Sequence, residues 1–198
     1  MEKPVFNFST PIILENSRAR LEPIEPKHFP ALAHIAATNK NLLKYSPNPI
    51  EPQENFDKYV QTALDLRERK ERYTFTIFDK QKNEIAGSTS FLNISNIDQR
   101  LEIGATWIGR NFQSTGLNTN IKYLMLQYAF EKLQFKRVEF RTHHLNLQSR
   151  RAIEKIGGKF EGELRSHTLM YDGSRRNTIY YSVLDNEWPV IKTDNFKL

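Results

Sequence analysis

The segment LEIGATWIGRNFQSTGLNTNIKYLMLQYAFE, residues 101–131, decides how this chain folds. Residues 101–108 are mostly apolar or β-branched and are followed by Gly109, which predicts a β-strand. From Leu117 onward, apolar residues recur at helical spacing on two sides, as expected for a helix that lies on a sheet. The two stripes are Leu117, Ile121, Leu124, Met125 and Tyr128, and Leu126, Ala129, Phe130 and Leu133. We therefore expect a strand, a short turn and a long helix.

The turn between this strand and this helix is polar and contains a glycine. It comprises Gln113, Ser114, Thr115, Gly116, Leu117, Asn118 and Thr119. The first turn of a helix leaves backbone N–H groups unpaired and carries partial positive charge, so it can bind a phosphate or pyrophosphate without a metal. Gly116 has no Cβ where the backbone would approach such a ligand. The alternative is an ordinary connection in which Asn118 or Thr119 caps the helix.

Composition predicts one domain, residues 1–198. The chain has 198 residues and 38% hydrophobic content, which suits a single well-packed core. It has no cysteine, which excludes disulfides and thiolate metal sites. No metal site is expected from the histidines, because His143 and His144 are adjacent on an extended segment and should point opposite ways. The other histidines show no ligand spacing: His28, His34 and His167.

Location and charge narrow the classes of function. The first residues lack an apolar core of signal-peptide length, and no later stretch could span a bilayer, so a cytoplasmic protein without membrane contact is expected. The formal charge is +6 and the pI is 9.4. These values fit a polyanionic partner, which could be a nucleic acid or a phosphorylated ligand. They also fit a mildly basic surface without such a partner. Nucleic-acid binding is the weaker expectation, because the chain has no dense basic run and no recognised aromatic-basic motif.

Periodicity predicts a mixed α/β fold. Residues 1–17 are expected to be a loosely attached lead-in with room for a short strand at 12–15, and residues 39–52 a loop. The strand–helix–strand crossover between 101 and 142 implies one parallel strand pair in an otherwise antiparallel sheet. The expected strands are 18–24, 73–78, 84–94, 101–108, 136–142, 159–171 and 175–184, and the helices are one opening at Pro26, 55–70, the one from Leu117, and 146–156.

Two sets of residues resemble a known family. The pattern Gln113-x-x-Gly116-x-Asn118 resembles the acyl-CoA pyrophosphate loop, Q/R-x-x-G-x-G/A, of the GNAT superfamily of N-acetyltransferases, with Asn118 where glycine or alanine is usual. Asn146-x-x-Ser149, AIEKIG at 152–157 and EGELR at 161–165 are similar to the C-terminal half of its ribosomal-protein N-acetyltransferase type. The match spans about residues 100–185, and several spaced motifs in order are more specific than one glycine loop.

The resemblance implies a fold and an activity. The GNAT fold is a mixed, mostly antiparallel twisted sheet flanked by helices, in which two parallel strands splay apart and acyl-CoA enters the resulting notch. The implied reaction moves an acetyl group from acetyl-CoA to a primary amine, by direct transfer in a ternary complex since there is no cysteine to carry an acyl-enzyme. The alternative is a non-catalytic acyl-CoA-binding or regulatory module.

The sequence does not identify the acceptor amine or the oligomeric state. Protein N-termini, including those of ribosomal proteins, are favoured by the resemblance, while small amines, polyamines, amino acids and aminoglycoside-like drugs remain alternatives. A monomer or a homodimer is expected, and no metal is required.

The resemblance also assigns roles to residues. Glu102 is the candidate general base, working through water, or else a solvated strand residue or a structural ion pair. Ser149 is the candidate proton donor to the leaving thiolate, or else a residue that hydrogen-bonds locally at the helix start. Asn146 would bind the pantetheine amides or only cap the helix.

The remaining cofactor contacts are expected along the strand and the turn. The main chain of Thr106, Trp107 and Ile108 should run beside the pantetheine arm, with the Trp107 side chain in the core. Residues 113–119 should supply the pyrophosphate site. Arg150 would reach the ribose phosphate, although it and Arg151 could equally be solvated helix residues.

Overall fold

The computed structural model describes residues 4–50 and 53–196, and in this part of the chain one eight-stranded sheet carries the fold. The strand order is β1-β2-β3-β4-β5-β6-β8-β7. The strands are β1 Leu14–Glu15, β2 Ala19–Pro23, β3 Arg72–Asp79, β4 Glu84–Ser95, β5 Arg100–Ile108, β6 Arg137–His143, β7 Lys159–Leu169 and β8 Arg175–Leu184. The helices are α1 Phe29–Thr38, α2 Gln53–Glu68, α3 Leu117–Gln127, α4 Leu147–Lys155 and α5 Trp188–Asp194. The predicted mixed, mostly antiparallel sheet flanked by helices is confirmed.

The parallel pair predicted from the crossover is β5 and β6. Its register is Arg100 with Arg137, Leu101 with Val138 and Glu102 with Glu139, and in the described residues the pairing stops there. On its other edge, β5 bulges against β4 at Ala105, which has a φ of +48°. A bulge bends its strand and adds twist, so β5 diverges from β6. We call the resulting gap between them the notch.

The sheet buries an apolar layer on each face. On one face, α3 contributes Leu117, Ile121 and Met125 to the larger core cluster, together with Leu101 and Ile103 of β5. On the other face, α1 and α2 form a second cluster with Trp107. Because successive side chains of a strand point to opposite faces, Glu102, between Leu101 and Ile103, lies on the face that α1 and α2 cover.

The N-terminal lead-in is packed, so the expectation of loose attachment was wrong. Phe6 is buried, and its ring lies 5.5 Å from that of Tyr73 and 5.7 Å from that of Phe91, centroid to centroid. The backbone N–H of Ile12 donates to the Tyr73 hydroxyl at 2.8 Å. Burial of an aromatic side chain removes a large apolar area from water, and this stabilises the attachment of the lead-in to the sheet.

The other element boundaries lie close to the predicted ones. The helix expected at Pro26 begins as a 3-10 turn before α1, and α3 continues into a π-helical turn at Tyr128–Lys132. The end of α4 at Gly157, which has a φ of +90°, and the turn at Gly173 are confirmed. Helix α5 was not predicted from the sequence. Of the expected 39–52 loop, residues 51 and 52 lie outside the described residues.

Candidate active site

A cavity of about 480 Å³ occupies the notch. Its lining comes from β5, the turn and start of α3, β6, α4, the segment between α1 and α2, and β8. This volume is within the usual range for a small-molecule site. The structure brings these candidate residues together around it: Thr106, Trp107, Ile108, Gln113, Ser114, Gly116, Asn118, Thr119, Asn146 and Ser149.

Gly116 makes the turn into α3. It is the N-cap residue, with a φ of +84°, and no side chain caps the helix start, so the alternative of a cap by Asn118 or Thr119 was wrong. A Cβ added at Gly116 would meet no atom within 4 Å, so open space lies beside this backbone. The first N–H groups of α3 are therefore not satisfied by a capping side chain, which leaves them for a ligand or solvent.

Side chains behind the turn hold its backbone in place. The side-chain amide of Gln113 donates to the carbonyl of Ile108 at 2.8 Å, which ties the turn to the end of β5. The Thr115 hydroxyl donates to the Phe112 carbonyl at 2.7 Å, and the Asn120 side-chain amide donates to the Gly116 carbonyl at 3.1 Å. The turn is thus preorganised by contacts to carbonyl groups, which do not use the N–H groups of the turn.

Four candidate residues do not line the cavity: Glu102, Thr115, Leu117 and Arg150. Leu117 is fully buried in the core beneath the turn. The Arg150 guanidinium donates to the Tyr181 hydroxyl at 3.2 Å and to the His144 carbonyl at 3.4 Å. Backbone contacts with a ligand remain open to Thr115 and Leu117, because these depend on N–H groups rather than side chains.

Lys122 is a cavity residue that the sequence analysis missed. It lies on α3, its side chain is buried, and its ammonium donates to the Thr106 hydroxyl at 2.7 Å. Within the described residues it forms no ion pair, and burial lowers its pKa to about 7. Its place in the cavity could have been predicted from its spacing. Lys122 follows Asn118 by four residues and Thr119 by three, and residues three and four apart share a helix face.

The start of α4 faces the same cavity. The Asn146 side chain accepts a hydrogen bond from the Ser149 backbone N–H at 3.1 Å and so caps the helix. The helix cap, one of the two roles predicted for Asn146, is therefore present. The residue also lines the cavity. The Ser149 side chain lies beside it, partly buried, at the edge where β6 leads into α4.

Glu102 lies at the closed end of the notch, on the last paired position of β5. Its carboxylate forms an ion pair with Arg141 of β6 and accepts a hydrogen bond from the Asn93 side-chain amide at 2.7 Å. The Arg141 guanidinium also donates to the Tyr180 hydroxyl at 3.2 Å. The structural ion pair considered from the sequence is therefore present, directly beside the cavity that Arg141 lines.

The Trp107 side chain packs in the core under α1 and α2, as predicted from the sequence. Its indole N–H donates to the Tyr59 hydroxyl at 3.3 Å, and Tyr59 donates to the Ser88 hydroxyl at 2.8 Å. This chain of hydrogen bonds fixes the side of β5 that faces away from α3.

The two adjacent histidines were placed wrongly by the sequence analysis. The rings of His143 and His144 stack with centroids 4.6 Å apart, because β6 ends at His143 and the chain turns there. His143 lines the cavity and accepts from the Leu145 backbone N–H, and burial, with smaller contributions from His144 and Arg176, lowers its pKa. Across residues 4–50 and 53–196, no cluster of three or more metal-ligating side chains occurs. No described helix is long and apolar enough to cross a membrane.

Comparison with known proteins agrees with this geometry. A family model described as an acetyltransferase (GNAT) domain matches residues 18–159. The Bacillus subtilis (strain 168) protein named "Putative ribosomal N-acetyltransferase YdaF" is 27% identical over 179 residues, which are 87% of this chain and 94% of that protein. A crystal structure of a GCN5-related N-acetyltransferase from Brucella melitensis has a TM-score of 0.86 at 28% identity, covering 96% of this chain and 86% of that one. A second crystal structure, from T. thermophilus, has a TM-score of 0.82 at 30% identity, with 92% and 94% covered.

The fold and the matched region agree on the class of protein, an acetyltransferase. The family model covers well over half of the 198 residues, and the chain belongs to the GNAT acetyltransferase family.

Proposed function

We propose that this acetyltransferase takes its acetyl group from acetyl-CoA and passes it directly to a primary amine in the notch between β5 and β6. The observation that carries the proposal is the notch itself. Beyond Glu102 and Glu139 the facing edges of two parallel strands are no longer paired, and the gap opens toward the uncapped, glycine-containing start of α3.

The described residues fit acetyl-CoA. N–H groups at the α3 start suit a pyrophosphate, because they combine unpaired donors with the positive end of the helix dipole. The unpaired edge of β5 at Thr106, Trp107 and Ile108 suits the amides of a pantetheine arm, which can hydrogen-bond in sheet-like fashion. Lys122 and Lys155 add positive charge to the same lining. Bound acetyl-CoA would supply a thioester with an electrophilic carbonyl carbon.

Glu102 is our proposed general base. It would accept the proton of the acceptor amine through one water, since its carboxylate lies at the closed end of the notch but outside the cavity lining. The Arg141 guanidinium orients this carboxylate. A positioned proton acceptor typically contributes a rate factor of about 10²–10⁴.

Ser149 is our proposed proton donor to the leaving sulfur. Ser149 lines the cavity at the start of α4, while its backbone N–H is held by Asn146. This hydrogen bond fixes the first turn of α4 and with it the position of the hydroxyl. Alignment of the two substrates between α3 and the opposite wall of the notch would further raise the rate of transfer.

The acceptor within this proposal is a protein N-terminus such as that of a ribosomal protein, or a small amine. The name of the Bacillus subtilis relative supports the ribosomal assignment. A cytoplasmic location, one domain over residues 1–198, and a monomeric or homodimeric state stay predictions from the sequence.

The test is release of free thiol from acetyl-CoA with a panel of peptides and small amines. The proposal expects thiol release that depends on the amine, with equal amounts of acetylated product by mass spectrometry. Binding of acetyl-CoA without turnover on any amine would favour the alternative, a regulatory module that keeps the fold. The Glu102→Gln variant is the matched check on the catalytic assignment, because it preserves shape and removes the proton acceptor.

A further inference from the structure

The wall of the notch opposite α3 is cationic. Arg141 and His143 of β6 and Arg176 of β8 line it, together with Tyr45 of the segment between α1 and α2. Arg141 pairs directly with Tyr180 in the sheet, and Arg176, four residues earlier on β8, points to the same face by strand alternation. This is the face of Glu102, so the two arginines lie on the same side of the sheet as the proposed general base, which the acceptor amine has to approach.

Acidic side chains do not balance this wall within the described residues. None of the described residues that line the cavity is an aspartate or a glutamate, whereas four are lysine or arginine: Lys122, Arg141, Lys155 and Arg176. Glu54 and Asp57, the described acids at the start of α2, are not in the lining. The carboxylate of Glu102, just outside the lining, is already paired with Arg141. One carboxylate thus faces two guanidinium groups, which leaves an excess of positive charge.

Of the two guanidinium groups on this wall, that of Arg176 has no carboxylate partner among the described residues. Among the described residues its one hydrogen bond joins Nη1 to the Tyr45 carbonyl at 2.8 Å, and it has no carboxylate within ion-pair distance. Its Nε is buried without an acceptor. Burial, and then the neighbouring Arg141, lower its pKa against a smaller opposing effect of Glu102, yet an arginine stays protonated at neutral pH. A partly buried charge without a counter-charge costs free energy that an incoming anion would offset.

Resting on the proposed function, we infer that the acceptor is an amine that carries an acidic group close to the reacting nitrogen, and that Arg176 is the residue that selects it. A carboxylate, such as an aspartate or glutamate side chain near a peptide N-terminus, would supply the missing counter-charge. The same wall repels polyamines and aminoglycoside-like amines, because like charges in a partly desolvated site are unfavourable. In the transfer, the N–C bond to the acetyl group forms and the S–C bond of the thioester breaks. The amine proton passes to Glu102 through water, and the leaving sulfur receives a proton from Ser149.

The experiment uses paired peptides with identical N-terminal residues followed by either two glutamates or two lysines. We expect kcat/KM for the acidic peptide to exceed that for the basic one by about tenfold or more, a typical discrimination by a partly desolvated charge. Arg176→Gln should bring this ratio to near one. Arg175→Gln is the matched control, since this exposed neighbour bonds Ser166 and does not line the cavity. That variant should keep the preference.

Two results would overturn the inference: equal or faster turnover of the basic peptide, or an acidic preference that survives Arg176→Gln. The same peptide pair is titrated calorimetrically into the protein with and without acetyl-CoA. If acetyl-CoA does not bind or no peptide turns over, the proposed function fails, and the binding ratio still decides the inference. Tighter binding of the acidic peptide that depends on Arg176 supports it, and equal binding refutes it.

Discussion

On the α3 side of the notch, most residues that line the cavity come from one stretch of the chain, residues 106–119. On the opposite side the lining residues come from distant parts of the sequence, among them Tyr45, Arg141 and Arg176. The first side needs only a strand, a glycine turn and a helix start. The second needs the whole sheet to assemble before its residues meet. Binding of a common co-substrate and choice of acceptor are thus built from different kinds of structure.

The largest effect is expected where the two sides meet, at Glu102. Glu102→Gln should lower kcat by about 10²–10⁴ while KM for acetyl-CoA changes little, because the amide cannot accept the amine proton. Initial-rate kinetics with saturating acceptor measure it. Since the variant also leaves Arg141 without its counter-charge, unfolding is measured in parallel.

Glu139→Gln is the matched control. Glu139 pairs with Glu102 across β5 and β6, lies on the same face, and is likewise held by an arginine, Arg137. It should lose stability without losing kcat. Similar kcat losses in both variants would show that the ion pairs act only through structure.

The next effect concerns the backbone site at the α3 start. Gly116→Asp should weaken acetyl-CoA binding by about 100-fold or more, because a carboxylate would occupy the space beside the turn and oppose the positive potential there. The matched control is Gly173→Asp, at a φ of +83° against +84° for Gly116, and likewise with no atom within 4 Å of an added Cβ. Both variants should lose about 1 kcal/mol of stability from the left-handed backbone. Loss of binding in the control as well would count against the assigned loop.

The turn at Gly116 shows which parts of the fold and of the candidate site could be predicted from the sequence. The strand, the turn and the helix were readable because their signals are local: apolar periodicity, a glycine and the spacing of residues 113–118. The partner of Glu102 in its ion pair was not, because Arg141 lies on another strand and its approach depends on the register of β5 with β6. The uncompensated charge of Arg176 depends on β8 being placed beside β6, which no local pattern specifies. His143 and His144 were misplaced because both were assigned to one extended segment, whereas the strand ends between them.

A smaller effect is expected at Lys122. Lys122→Met should raise the free energy of unfolding by about 2–4 kcal/mol at pH 7, because the folded state lowers the pKa of this amine from 10.5 to about 7. The unfolded chain binds the proton of Lys122 more tightly than the folded protein does. Lys122 therefore destabilises the unmodified protein fully below pH 7, and this effect fades as pH rises toward 10.5. The gain from the substitution should therefore shrink between pH 7 and pH 9 in denaturant titrations.

The same variant should bind acetyl-CoA about threefold to tenfold more weakly at pH 7, from the loss of a partly protonated amine in the lining. Lys155→Met is the control, since Lys155 lines the cavity but is exposed. It should weaken binding without a stability gain. An unchanged unfolding free energy in Lys122→Met would contradict the buried, uncompensated ammonium.

The smallest effect is expected at Asn118, the position that departs from the family pattern. Asn118→Ala should change acetyl-CoA affinity by less than about threefold, because Gly116 and not Asn118 caps the helix. Asn120→Ala sharpens the comparison. Asn120 bonds the Gly116 carbonyl and accepts from Asn16 at 2.8 Å, so its loss should cost about 1–2 kcal/mol of stability. Thermal unfolding and titration of both variants separate the two roles.

The central claim is that the notch between β5 and β6 binds acetyl-CoA, and calorimetric titration of the unmodified protein with acetyl-CoA tests it most directly. We expect one molecule bound per chain with a dissociation constant between about 1 μM and 1 mM, in the usual range for enzyme substrates, and weaker binding as salt screens the cationic lining. No binding heat and no thermal stabilisation of a folded protein at millimolar acetyl-CoA would contradict the claim.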